Sequence, residues 1–74
     1  MTQRRNVTAI AGERVRARRQ AEGWSQLELS CRTGVTQSTI SRVESGRLSL
    51  VQVGTLQRLA LAFGVDPAEL AQAF

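Results

Sequence analysis

The chain contains no histidine, no tyrosine and no lysine, and only one cysteine and one proline. Without histidine it lacks the side chain that titrates nearest neutrality and most often serves as general base or metal ligand. It also has no Gly-rich phosphate loop and no carboxylate pair with an evident cleft, so an enzyme is not expected and no cofactor is called for. Cys31 has no second cysteine to pair with and no ligand set beside it, so neither a disulfide nor a metal staples the fold. No apolar run approaches the roughly 18 residues that span a bilayer. Residues Met1 to Asn6 are polar and lead into no apolar stretch with a small-residue cleavage pattern. A cytoplasmic protein without a membrane partner is the expectation.

What is present is a small globular composition. With 74 residues, 42% of them hydrophobic and 22% charged, the chain has room for one domain. A chain this short buries only about 60% of the surface its unfolded form exposes, so self-association is expected as a source of added stability. The charge is unevenly placed. Six arginines (Arg4, Arg5, Arg14, Arg16, Arg18, Arg19) fall in the first twenty positions against Glu13 alone, a net +5. The other four arginines face five acids, a net −1, which recovers the overall +4. A one-ended basic field favours a polyanionic partner, nucleic acid above all, although arginine on a solvated helix face is also common.

Glycines and capping residues divide the sequence into five helices and no strands, an all-α domain. Thr8 caps a first helix running to about Glu22, with Ile10, Ala11 and Val15 inward and Gly23 as its stop. Ser25-Gln26-Leu27-Glu28 reads as a capping box opening a second, which Gly34 ends, with Val35 as the buried peg of the turn. Thr36 caps a third that runs to Glu44 or Ser45, with Ile40 and Val43 on its inner face. Val53, Leu56, Leu59, Ala60 and Phe63 recur at helical spacing in a fourth that includes Gly54 and closes at Gly64. Asp66, Pro67 and Glu69 open a fifth, with Leu70 and Phe74 on one side. Residues 1–7 read as a basic N-terminal arm and residues 8–74 as the domain.

Two short helices joined by a tight Gly-containing turn are a DNA-reading unit, the second helix lying in the major groove. Here that unit is SQLELSCRTGVTQSTISRVESG, Ser25 to Gly46. Arg19, Gly23, Ser25-Gln26, Gly34-Val35, Ile40-Ser41, Glu44 and Phe63-Gly64-Val65 make the chain closely similar to Cro and Xre type helix-turn-helix repressors, from about Gly12 to Leu70. The resemblance implies a five-helix lambda-repressor-like DNA-binding domain that regulates transcription, and an inner ion pair between Arg19 and Glu44.

For base readout, the outward face of the third helix offers Gln37, Ser38, Ser41 and Arg42. Gln suits a bidentate contact to adenine and Arg one to guanine, while Ser lets the helix sit close. For phosphate contact, Gln26 looks like the family's backbone-contacting Gln at a helix amino end. Arg47 resembles a family position that often carries a basic contact. Thr36 and Thr39 can donate hydroxyls, and Arg4 and Arg5 can lie along the backbone or enter a minor groove. Arg14, Arg16 and Arg18 add to the field.

Other residues read as structural: Trp24 as core or lid, Cys31 as inert packing within a helix. Leu48, Leu50 and Val51 depart from the family, whose loop there is usually polar with a proline. With Leu70 and Phe74, Leu48 and Leu50 are candidates for a two-fold interface, or alternatively they close the monomer's core. A dimer would read two half-sites about 34 Å apart, as an inverted repeat. Repression by blocking a promoter is the plainest mechanism. The chain also resembles restriction-modification controllers and antitoxin-type autoregulators. A protein-binding scaffold of the same fold is the remaining alternative, and a protein partner is possible in any of these roles.

Overall fold

A computed structural model describes the backbone of residues 7–48 and 54–71 and the side chains of residues 11–48 and 54–70. Five helices follow one another along these residues, with no strand among them: α1 (Val7–Ala21), α2 (Gln26–Thr33), α3 (Gln37–Glu44), α4 (Thr55–Phe63) and α5 (Pro67–Ala71). The fold is all-α. Val7 is already helical, so Thr8 lies in the first turn of α1 rather than capping it. At the far end the N–H groups of Gly23 and Trp24 donate to the carbonyls of Gln20 and Arg19, each at 3.0 Å. This closes α1 and turns the chain directly into the cap of α2.

Ser25 caps α2 through its Oγ, which accepts the Glu28 N–H at 3.0 Å. The Glu28 carboxylate does not reach back as the capping box predicts; its Oε2 accepts from Arg32 Nε one turn on, at 3.3 Å. At the tight turn Gly34 takes φ +77°, which L side chains rarely adopt, and donates its N–H to the Ser30 carbonyl at 2.9 Å. Thr33 Oγ1 donates to the Leu29 carbonyl at 2.8 Å and accepts the Val35 N–H at 3.1 Å, holding Val35 in its buried place. Thr36 then caps α3, its Oγ1 accepting the Thr39 N–H at 3.2 Å and donating to Thr39 Oγ1 at 2.9 Å.

The start of the fourth helix differs from the sequence reading. Gly54 sits at the N-cap of α4, not inside it, so the cost of a glycine in a helix interior does not arise there. Val53, placed in that helix by its spacing, lies outside the described residues, as do Leu50, Val51 and Phe74. The last cap is complete: Asp66 Oδ1 accepts the Ala68 N–H at 3.0 Å and Glu69 Oε2 accepts the Asp66 N–H at 3.3 Å.

Every helix contributes to one core. Val15, Leu29, Ile40, Val43 and Leu59 are fully buried, Leu70 and Ala60 nearly so, and Ala11, Val35 and Phe63 complete the cluster. Burying each large aliphatic side chain contributes about 1.5–3 kcal/mol, which is what holds such short helices together. The packing of α1 on α3 is the most extensive between any two helices, and it depends on Gly12. A β-carbon there would collide with the Val43 carbonyl oxygen, so the two backbones approach as closely as they do only with glycine.

Trp24 is half-buried, stacked on Phe63 with ring centroids 5.8 Å apart and 14° between the planes. The Arg32 guanidinium lies 4.3 Å from the Trp24 ring centre. Cys31, expected among apolar neighbours, is exposed instead: Leu29 takes the inward position on α2, and residue 31 is turned away from it. Leu70 is 1% exposed and therefore belongs to the monomer's core, not to a surface that a second copy could touch. Leu48 is half-buried against the same cluster.

Candidate nucleic-acid interface

The inward requirement of α3 decides what its outer face presents. Ile40 and Val43 are pulled into the core, which turns Gln37, Ser38, Ser41 and Arg42 together toward solvent, and all four are exposed. None of their side chains makes a hydrogen bond or ion pair among the described residues. They form a row of uncommitted donors and acceptors on a helix whose backbone is anchored from behind.

The anchor is an ion pair. Arg19 Nε donates to Glu44 Oε2 at 2.7 Å and Arg19 Nη2 to Glu44 Oε1 at 3.0 Å, with the side chains 12% and 5% exposed. Arg19 Nη1 also donates to the Trp24 carbonyl at 2.8 Å. One guanidinium thus ties α1, the end of α3 and the entry to α2. Its hydrogen bond to Glu44 raises the Arg19 pKa above the ordinary arginine value, against an opposing effect of burial, with a further Coulombic contribution from the same carboxylate. Because that pKa is raised, the stabilisation is complete at all pH values below the ordinary one and fades only in stronger alkali. Leaving either charge buried without the other costs about 3–5 kcal/mol.

Gln26 joins this network from the first turn of α2. Its Nε2 donates to Glu44 Oε1 at 3.1 Å, which uses one of the two amide hydrogens and orients the group. Glu44 can only accept, so the nitrogen must be the atom facing it. Gln26, Ser41, Ser45 and Arg16 line a shallow depression whose floor is the Arg19–Glu44 pair. Thr36 and Thr39 lie at the amino end of α3, their hydroxyls joined to each other and to the cap. Arg47 is exposed just past α3, its N–H donating to the Arg42 carbonyl at 2.8 Å. Arg4 and Arg5 lie outside the described residues.

The arginines of α1 are not one field. Arg14 Nη1 donates to the Glu69 carbonyl at 2.9 Å and Arg18 Nη2 to Glu69 Oε1 at 3.2 Å, so both hold α5. Arg16 alone of these lies on the α3 side. Sequence reasoning grouped the three; their spacing was the available signal, since residues 14 and 18 share a helix face one turn apart and residue 16 does not.

Two short helices joined by a tight glycine turn, with the polar face of the second exposed, form a helix-turn-helix unit. The chain belongs to the helix-turn-helix domain family, which matches residues 10–73. It is a DNA-binding transcription regulator and not an enzyme. It is similar to the restriction-modification controller protein C.AhdI from Aeromonas hydrophila, at 35% identity with a TM-score of 0.74, over 85% of this chain and 94% of that one. It is also similar to a hypothetical transcription factor, NHTF, from Neisseria, at 29% identity with a TM-score of 0.78, over 90% of this chain and 76% of that one. No curated protein sequence matches it significantly. No helix among the described residues is long and apolar enough to cross a membrane.

Proposed function

We propose that the protein is a repressor that binds an inverted-repeat operator as a homodimer and excludes polymerase from the promoter it covers. The observation that carries this reading is the outer face of α3, where Gln37, Ser38, Ser41 and Arg42 stand exposed and uncommitted. Arg42 and Gln37 read bases, and Ser38 and Ser41 allow close approach. Gln26, with its second amide hydrogen unused, contacts the backbone. Arg47 adds a phosphate contact, as do Thr36 and Thr39 at the α3 terminus, and Arg4 and Arg5 contact the backbone or enter a minor groove. With Leu70 committed to the core, the apolar surface left for a second copy includes Leu61, which is 84% exposed on α4.

A second reading, a controller of a restriction-modification system, is favoured by the 35% identity to a protein so described. The two share the same chemistry on DNA and differ in the gene regulated. The test is selection from a random duplex library at two salt concentrations, with sedimentation in the same buffer. An enriched inverted repeat, steep salt dependence and a dimer mass are expected. Weak binding without enrichment would shift the role to a protein-binding scaffold.

A further inference from the structure

We infer that Arg16 and Gln26 together clasp a single DNA backbone phosphate in the depression beside α3, which makes Arg16 a positioning residue of the interface. This rests on the DNA-binding reading above and adds a residue and a specific ligand to it.

Glu44 is the one acid lining that depression, and its charge is already spent. Both carboxylate oxygens are occupied by Arg19 and one of them also by Gln26, three hydrogen bonds in all. The floor is therefore neutral as a pair. The wall retains one full positive charge, Arg16, which is exposed and has no hydrogen bond or ion pair among the described residues. Arg14 and Arg18, on the other side of α1, are directed to Glu69 and cannot serve here. The Gln26 amide, fixed in orientation by Glu44 with one N–H left over, and Ser41 from the outer face of α3 line the same depression as Arg16.

An ionic fork, a pre-oriented amide hydrogen and a hydroxyl in one concavity, with no competing acid, match the acceptor pattern of a phosphodiester. The position fits as well. Ser41 lines the depression and lies on the exposed face of α3, so in the proposed complex a phosphate flanking the groove that α3 enters falls within reach of the wall beside it. Free amides at the start of α2 add a partial positive charge to the same spot.

The experiment uses the full chain on the duplex that the selection enriches. Arg16→Ala is expected to reduce affinity for specific and random duplexes alike. Loss of one phosphate contact lowers the slope of log K against log salt by about 0.9 per half-site, equivalent to about eight-fold in affinity per half-site at 0.1 M salt. Arg16→Gln, which keeps side-chain length, should behave the same, and Arg16→Lys should restore most of the slope. Because Arg16 is exposed and has no partner among the described residues, the melting temperature should not move in any of these variants. In the double variant Arg16→Ala/Gln26→Ala, the combined loss should be smaller than the product of the single losses, because both groups hold the same phosphate. An unchanged salt slope in Arg16→Ala overturns the assignment, and strictly multiplicative losses overturn the shared phosphate. Wild-type protein that enriches no duplex would instead refute the DNA-binding reading itself, an outcome distinct from either.

Discussion

At the scale of single residues, the side chains of the interface divide by what they are already bonded to. Gln26, Arg19 and Glu44 are committed to one another, and Thr36 and Thr39 are committed to a cap. In the proposed complex Gln26, Thr36 and Thr39 contact the DNA backbone from these fixed positions, and such contacts carry no sequence information. Gln37 and Arg42 have no such commitment and can follow a base edge. Arg42→Ala should therefore relax the preference at one base position per half-site, by about 1–3 kcal/mol if the contact is bidentate. A selection profile identical to wild type would remove Arg42 from the reading set. The contrasting Gln26→Ala should weaken every duplex alike, and a changed preference there would show that Gln26 reads sequence.

At the scale of the elements, α1 is both a wall of the core and the organiser of the interface. Its Gly12 lets α3 approach until the Val43 carbonyl fills the space of a side chain, while Arg19 seven residues on grips the end of α3. Glycine in a helix interior ordinarily costs about 1 kcal/mol against alanine, so Gly12→Ala is a helix-stabilising change locally. The collision with a backbone carbonyl outweighs it, since overpacking against atoms that cannot rotate away costs about 1–3 kcal/mol. Gly12→Ala is expected to lower the melting temperature in a calorimetric scan, by about 4–8 °C for each kcal/mol lost. A raised melting temperature would mean that α1 and α3 separate without penalty.

At the scale of the whole molecule, two arginines and Glu69 hold α5 against α1 on the side away from the reading helix, and exposed pairs of this kind contribute little by themselves. Leu70 of α5 is buried in the core, and burying such a side chain contributes about 1.5–3 kcal/mol. Leu61 remains, and its neighbours Leu59, Ala60 and Phe63 explain why: they follow the three-and-four spacing that faces the core, and residue 61 falls outside it. In the proposed dimer, Leu61→Glu should shift sedimentation toward the monomer and weaken operator binding without changing the melting temperature. A wild-type monomer, or a variant that dimerises as before, would take Leu61 out of the interface.

The sequence by itself determined the five elements and which side chains leave α3 outward. Caps and stops are local chemistry, so Ser25, Thr36, Gly34 and the Asp66–Glu69 box were legible without any knowledge of neighbours. So was the outward row on α3, because two buried positions three residues apart orient the rest of a helix. The similarity to known repressors supplied the Arg19–Glu44 pair, which periodicity could not have done, since the two residues are far apart in the chain. Tertiary structure alone decided what each exposed or apolar group meets. It moved Leu70 from a supposed interface into the core, turned Cys31 outward, and placed Gly54 at a cap. It divided Arg14 and Arg18 from Arg16, and made Gly12 indispensable to the contact between α1 and α3. The physical reason is common to all of these: a local sequence sets which way a side chain leaves its helix, but only the packing of other helices sets whether water, a carbonyl or a carboxylate is waiting there.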